Sequence, residues 1–246
     1  MKKKIPFLFV LISLVSCNQQ VVGRTTGLEG NYLGKPIIEF NGEDQDLYRI
    51  SNGYSNGGMF ISKWSKEAVK IEDGVASLLL YDKENVNYGA ELRTHQGYLY
   101  GYFGARMKVF KKAGTVQSVF TYNGGWVEHD EIDIEFLGKD TTKVQFNFYD
   151  NGVGNHEYLY DLGFDASEDF HDYGFKWEES MITWYVDFKP VYQVDARLEQ
   201  WGNFFINVWA GNPTNPTIVN WLGEYKMDDE IHITQYQYLS YAPLEE

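Results

Sequence analysis

His129–His156 reads HDEIDIEFLGKDTTKVQFNFYDNGVGNH, and within it Glu131, Asp133 and Glu135 alternate strictly with Ile132, Ile134 and Phe136. A period of two marks a half-buried β-strand. Successive strand side chains point to opposite faces, so the isoleucines and the phenylalanine should enter a core while the carboxylates share the other face. That arrangement is electrostatically expensive. Neighbours on one face sit about 6.6 Å apart at about 3.3 Å per residue. At an effective dielectric of about 20 they repel by about 2.5 kcal/mol, or about two pKa units. At least one of these acids is therefore expected to keep its proton near neutral pH.

An ionised carboxylate beside a protonated one is the pair that glycosidic-bond cleavage requires: a nucleophile or base, and an acid for the leaving oxygen. On a straight strand the Cα atoms of Glu131 and Glu135 lie about 13 Å apart, and side chains leaning inward by about 3–4 Å bring the carboxyls to about 5–6 Å. Retaining glycosidases use about 5–5.5 Å and inverting ones about 6.5–9.5 Å, so the spacing favours retention. The plainer alternatives are a solvated strand face or a cation site built of carboxylates.

The run EIDIEFLGKDTTKVQFNFYDNGVGNH resembles the catalytic strand and following hairpin of glycoside hydrolase family 16, in particular its bacterial lichenases, endo-β-1,3-1,4-glucanases. The similarity extends to GYSNGGMF (Gly53–Phe60), LGFDASEDFHDYGFKWEESMITWYVD (Leu162–Asp187), NVWAG (Asn207–Gly211) and NWLGEY (Asn220–Tyr225), covering nearly all of the chain after about residue 38. Laminarinase-like members usually carry E-x-D-x-x-E, with a bulge in the strand. The uninterrupted form here is that of lichenases and plant xyloglucan-active relatives.

The N-terminus reads as an export signal. Lys2, Lys3 and Lys4 precede an apolar run, Ile5–Val15, too short to span a bilayer as a mature helix. Leu14-Val15-Ser16-Cys17 resembles the lipobox of bacterial lipoproteins, which implies lipidation at Cys17 and attachment to a membrane; an ordinary signal peptide is the plainer alternative. Cys17 is the only cysteine, so no intrachain disulfide can form. Residues 1–16 are thus read as signal peptide, 17–36 as a flexible tether and 37–246 as one catalytic domain.

Composition supports an all-β class. Aromatic residues make up 17% of the chain, with Tyr alone numbering 19, which favours strands and a sugar-contacting surface. A net charge of −14 argues against nucleic acid or an acidic polysaccharide as partner. Short apolar runs recur between turn signals: Gly74 before Val75–Tyr81, Gly97 and Gly101 around Tyr98–Tyr102, then Asp150-Asn151-Gly152 and Asn212-Pro213. Thr183–Val186 and Ile231–Tyr241 also read as strands. No segment carries a sustained helical period, and an antiparallel β-sandwich of jelly-roll type with a concave cleft follows, expected as a monomer.

A glycan groove needs flat apolar faces for pyranose rings and fixed polar groups for hydroxyls. Phe120 and Tyr122 alternate on one strand, as do Gln145, Asn147 and Tyr149 on another. The resemblance implies that Phe120, Tyr122, Tyr149, Asn207, Trp209 and Trp221 line the cleft, that Glu91 and Arg93 bind sugar hydroxyls, and that Tyr54 and Asn56 hold the glucose units farthest from the cut. For Glu91 and Arg93 the duller reading is a surface ion pair, worth about 0–1 kcal/mol. It further implies that Glu131 is the nucleophile, Glu135 the acid and base, and Asp133 the residue that adjusts their protonation. The residues alone leave open which Glu holds the proton.

Several positions depart from the family. His129 stands where lichenases carry a tryptophan, and the loop between Tyr122 and Glu131 is about two residues shorter. Ser62 and Gly89 occupy the positions of a common disulfide. No cofactor is required for chemistry; a structural calcium, by resemblance, would be held by Glu39, Gly74 and Gln237. His156 reads as structural, and His95, His171 and His232 give no metal-ligand spacing. The expected activity is retaining hydrolysis of mixed-linkage β-1,3-1,4-glucan. The alternatives are a lipid-anchored β-glucan-binding protein with little turnover, a family enzyme acting on laminarin or xyloglucan, or one favouring transglycosylation.

Overall fold

The structure, a computed structural model, describes residues 34–124 and 128–244. The export signal, Cys17 and the tether up to residue 33 lie outside the described residues. The strands in chain order are β1 (Lys35–Ile38), β2 (Tyr48–Ile50), β3 (Lys63–Trp64), β4 (Val69–Glu72), β5 (Val75–Lys83), β6 (Val86–Tyr98), β7 (Gly101–Lys108) and β8 (Thr115–Tyr122). They continue with β9 (Glu131–Leu137), β10 (Lys143–Tyr149), β11 (Tyr158–Asp161), β12 (His171–Glu178), β13 (Met181–Val186), β14 (Lys189–Asp195), β15 (Gly202–Ala210) and β16 (Ile231–Ala242), with helix α1 (Pro216–Leu222) between the last two. The fold is all-β, as its aromatic, alternating sequence implies.

The strand order is β11-β10-β9-β8-β15-β6-β5-β16-β7-β12-β13-β14. Every pair along that path is antiparallel; the short β3 beside β6 is parallel. The long β6 joins two halves, pairing through Val86–Tyr88 with β5 and from Ala90 onward with β15. The sheet thereby folds over on itself into a jelly-roll sandwich. Ile132, Ile134 and Phe136 are fully buried between the halves, as their alternation requires. They share the core with Phe146, Phe204 and Ile206 of their own half and with Phe103, Phe175 and Trp184 of the other. Burying each such side chain contributes roughly 1.5–3 kcal/mol.

Two hydrogen bonds cross the core and fix the strands that carry the acids. Trp184 Nε1 donates to the Asp133 carbonyl at 3.0 Å, and Tyr236 Oη donates to the Ser118 carbonyl at 3.0 Å. A buried indole N–H or phenol needs such a partner, so each bond satisfies a polar group while setting the depth of β9 or β8.

Three details differ from the sequence reading. Lys35 and Pro36, expected in the tether, pair with Tyr241 and Ser240 in β1 and β16. Tyr98–Tyr102 is not one strand: Leu99 and Tyr100 turn the chain between β6 and β7, with Tyr100 at φ 54° and Gly101 at φ 130°. Helix α1 is too short for periodicity to reveal, although its signals stand in the sequence: Asn215 caps Thr217 N–H, Pro216 opens the first turn and Gly223 closes the last.

Candidate active site

The register of β9 places each carboxylate between two partners: Tyr122 and Tyr149 beside Glu131, Phe120 and Asn147 beside Asp133, Ser118 and Gln145 beside Glu135. The rows continue into β15 and β6, with Asn203 beyond Tyr122, Phe205 and Arg93 beyond Phe120, and Asn207 and Glu91 beyond Ser118. Residues opposite one another share a face, so these side chains form a single surface on the side away from the core. A ligand bracketed by Glu131 and Glu135, which lie on one strand, must cross the strands along the row of Asp133.

Burial sharpens the repulsion foreseen from the spacing. Asp133 is 5% exposed. Loss of solvent, then the charges of Glu131 and Glu135 and a hydrogen bond with Glu131, hold its carboxyl well above the usual range. Burial and its acidic neighbours thus favour the protonated form of Asp133, which is hydrogen-bonded to Glu131. Glu135 is pushed up to about 8, chiefly by desolvation and further by the charge of Glu131, with a hydrogen bond from Gln145 opposing the rise.

The two ends of the trio are held differently. Gln145 Nε2 donates to Glu135 Oε2 at 2.6 Å, and its Oε1 accepts from Trp221 Nε1 at 3.0 Å, so strand β10 and helix α1 both orient the acid. At the other end, His129 Nε2 lies 3.3 Å from Glu131 Oε2, with its ring 5.3 Å from that of Tyr122 and 5.1 Å from that of Tyr149. His129 Nδ1 is buried with no hydrogen-bond partner among the described residues. The adjoining Asp130 accepts the backbone N–H groups of Glu199 and Gln200 at 2.7 and 2.8 Å and that of Asn151 at 3.0 Å. It ties three chain segments to the start of the strand.

The other expected site residues reach the same surface. Tyr54 Oη donates to Ser51 Oγ, which donates to Glu91 Oε1 at 2.6 Å, linking the Gly53–Phe60 segment to β6. Asn56 Oδ1 accepts from Trp64 Nε1 at 3.0 Å. Glu91 is raised by burial, offset in part by hydrogen bonds from Ser51 and Asn207, and Ser118 Oγ donates to Asn207 Oδ1 at 2.6 Å. The Arg93 guanidinium sits 5.4 Å over the Phe205 ring. Glu91 and Arg93 thus engage other partners rather than forming the surface ion pair that was the duller expectation. Trp209 is 4% exposed and packs 4.0 Å from the ring of Phe60. It is part of a small second core with Trp64, Ile218 and Leu222 that braces one wall of the cleft, with Trp221 packed against it.

Sequence reasoning missed Ser51, Ser118, Phe205 and the contact made by His129. Parity was the available signal for the last: two residues before Glu131, His129 falls on the acid face.

A family model described as glycosyl hydrolases family 16 matches residues 55–234. The chain belongs to that family. This glycoside hydrolase is similar to a Beta-glucanase of Brevibacillus brevis, 41% identical over 214 residues that cover 84% of this chain and 81% of the relative. It is also similar to a Beta-glucanase of Paenibacillus polymyxa, 37% identical over 247 residues that cover 98% and 99%. Among solved structures it resembles a prokaryotic β-1,3-1,4-glucanase (lichenase) derived from a mouse hindgut metagenome, with 41% identity, a TM-score of 0.78 and coverage of 84% of this chain and 97% of that one.

Family 16 chemistry needs no cofactor. Of the calcium ligands suggested by resemblance, Gln237 Oε1 accepts from Arg106 Nε at 2.9 Å. Elsewhere Asp228, Glu230 and His232 bring ligand atoms within 4.8 Å of one another, a grouping that the scattered histidines did not announce. Lys112 already pairs with Asp228 there. Ser62 and Gly89, the positions where the resemblance implied a disulfide, face each other: a Cβ on Gly89 would lie 3.1 Å from that of Ser62. Ser62 Oγ instead donates to Asn87 Oδ1 and accepts from Ala210 N–H at 2.7 Å.

Proposed function

We propose that this chain is a retaining endo-β-glucanase acting on mixed-linkage β-1,3-1,4-glucan. The observation that carries the reading is the acid face of β9, where Glu131 and Glu135 flank a buried Asp133 whose proton is favoured by its surroundings. Glu131 attacks the anomeric carbon while Glu135 gives its proton to the leaving oxygen, so that the glycosidic bond breaks as a glycosyl ester forms. Glu135, now ionised, takes a proton from water; the water oxygen attacks the same carbon and Glu131 leaves. Asp133, hydrogen-bonded to Glu131, shifts its proton toward that carboxylate as the ester breaks and charge returns. The proton held by Glu135 near pH 7 supports this division of labour.

Tyr54, Asn56, Glu91, Arg93, Phe120, Tyr122 and Asn207 hold glucosyl units on the β6 side of the cut, while Tyr149 and Trp221 border the catalytic residues. The mixed-linkage assignment is supported by the lichenase among the similar structures and by the uninterrupted E-x-D-x-E. The protein is further read as an exported monomeric lipoprotein held to a membrane through Cys17. Mass analysis of the mature N-terminus checks that reading, with an acylated cysteine as the expected result.

Reducing-sugar release from barley β-glucan, laminarin, xyloglucan and carboxymethylcellulose tests the substrate. Release from barley β-glucan well above the other three is expected. Equal release from laminarin overturns the linkage assignment, and binding without release from any of them overturns the enzyme reading.

A further inference from the structure

Trp201 is 57% exposed, although it immediately precedes a strand whose other large aromatics are buried. Its indole lies on Gly97, where a Cβ would come 2.2 Å from the ring, so only glycine allows this seat. Gly97 pairs with Asn203, and the next residue, Tyr98, turns inward onto Phe103. The side of Gly97 that carries Trp201 is therefore the side that carries the acids.

The segment holding this ring is fixed. Asp130 accepts the N–H groups of Glu199 and Gln200, and Asn123 Nδ2 donates to Gln200 Oε1 at 2.5 Å. Around it a hollow of about 540 Å³ is lined by Asn123, Gly124, Glu128, Glu199, Gln200 and Trp201. A flat indole rimmed by amides and carboxylates suits a ligand with apolar ring faces and many hydroxyls, and the carboxylates repel an anion.

The geometry points to an accessory sugar site at this hollow, on the Glu131 lip of the groove, that takes a glucosyl segment of the neutral polymer lying outside the catalytic row. It rests on the reading of the groove as glucan-binding, and it lies beside that groove rather than in it. The path through the row of Asp133 does not cross Trp201.

Affinity electrophoresis through gels containing barley β-glucan tests the site, using the full chain with Glu131→Gln so that the polymer is not cut. Adding Trp201→Ala should weaken retardation about tenfold. Gly97→Ala, which unseats the ring without touching ligand, should do nearly the same, and Trp201→Phe should retain most of the binding. Calorimetric affinity for a short gluco-oligosaccharide confined to the groove should change less than the affinity for polymer. Circular dichroism and melting midpoints identify any variant that fails to fold. Unchanged retardation in folded Trp201→Ala and Gly97→Ala overturns the site, as does equal weakening for short and long ligands. Hydrolysis by the unaltered chain is scored separately, so loss of the accessory site leaves the catalytic reading standing, and absence of turnover leaves the binding result readable.

Discussion

Glu131 and Glu135 have the same side chain, occupy the same strand and face the same cleft, yet their surroundings divide them. Glu135 sits under an amide and an indole, Gln145 and Trp221, and loss of solvent keeps its proton on to about pH 8. Glu131 instead shares a hydrogen bond with Asp133 and lies 3.3 Å from an imidazole nitrogen. Alternation delivers identical groups to one face, and the flanking rows then give the two different surroundings.

The largest effect is expected from removing either member. Glu131→Ala should lower kcat on barley β-glucan by about 10⁴-fold or more, and Glu135→Ala should do so on substrates with poor leaving groups, while activated aryl glycosides, which need less acid help, should suffer far less from the second change. Steady-state rates on both substrate types check this, and equal losses on both would erase the distinction between the two ends.

Next in size are the residues that create the difference. Gln145→Met removes the hydrogen bond that opposes the rise at Glu135, so the alkaline limb of kcat/KM should move upward while kcat falls by about tenfold. A limb that moves downward would contradict this assignment. His129→Phe keeps a ring between Tyr122 and Tyr149 but removes the nitrogen facing Glu131. A fall in kcat of about tenfold, with KM nearly constant, is expected from a group that positions the nucleophile.

The smallest effect is on stability. A carboxyl whose folded pKa lies above its unfolded one favours folding fully below the unfolded value, about 4.3, and that contribution is lost as pH rises toward about 8. Glu135→Gln removes the ionisation. Its melting midpoint should gain on the unaltered protein between pH 5 and pH 8, by about 5 °C, in thermal scans at the two pH values.

Much of this site was legible because strand parity is rigid. Ile132, Ile134 and Phe136 could go to the core only if the acids went to the cleft, and mutual repulsion then required a held proton. Parity within one strand says nothing about its neighbours, however. That Ser118 and Gln145 flank Glu135, or that Phe205 lies between Phe120 and Arg93, depends on register between segments as far apart as β6, β8 and β15. Trp209, expected to line the cleft, is buried there, because Phe60 and α1 arrive from distant sequence to cover it. Gly97 was read as a turn signal, and its structural use is to admit an indole.

The anomeric configuration of azide products tests the division between the two glutamates most directly. With azide, Glu131→Ala should form an α-glycosyl azide by direct displacement on a β-linked activated glycoside, and Glu135→Ala should form the β-azide through an intact glycosyl ester on Glu131. An α-azide from Glu135→Ala, with none from Glu131→Ala, would reverse the roles and contradict the account.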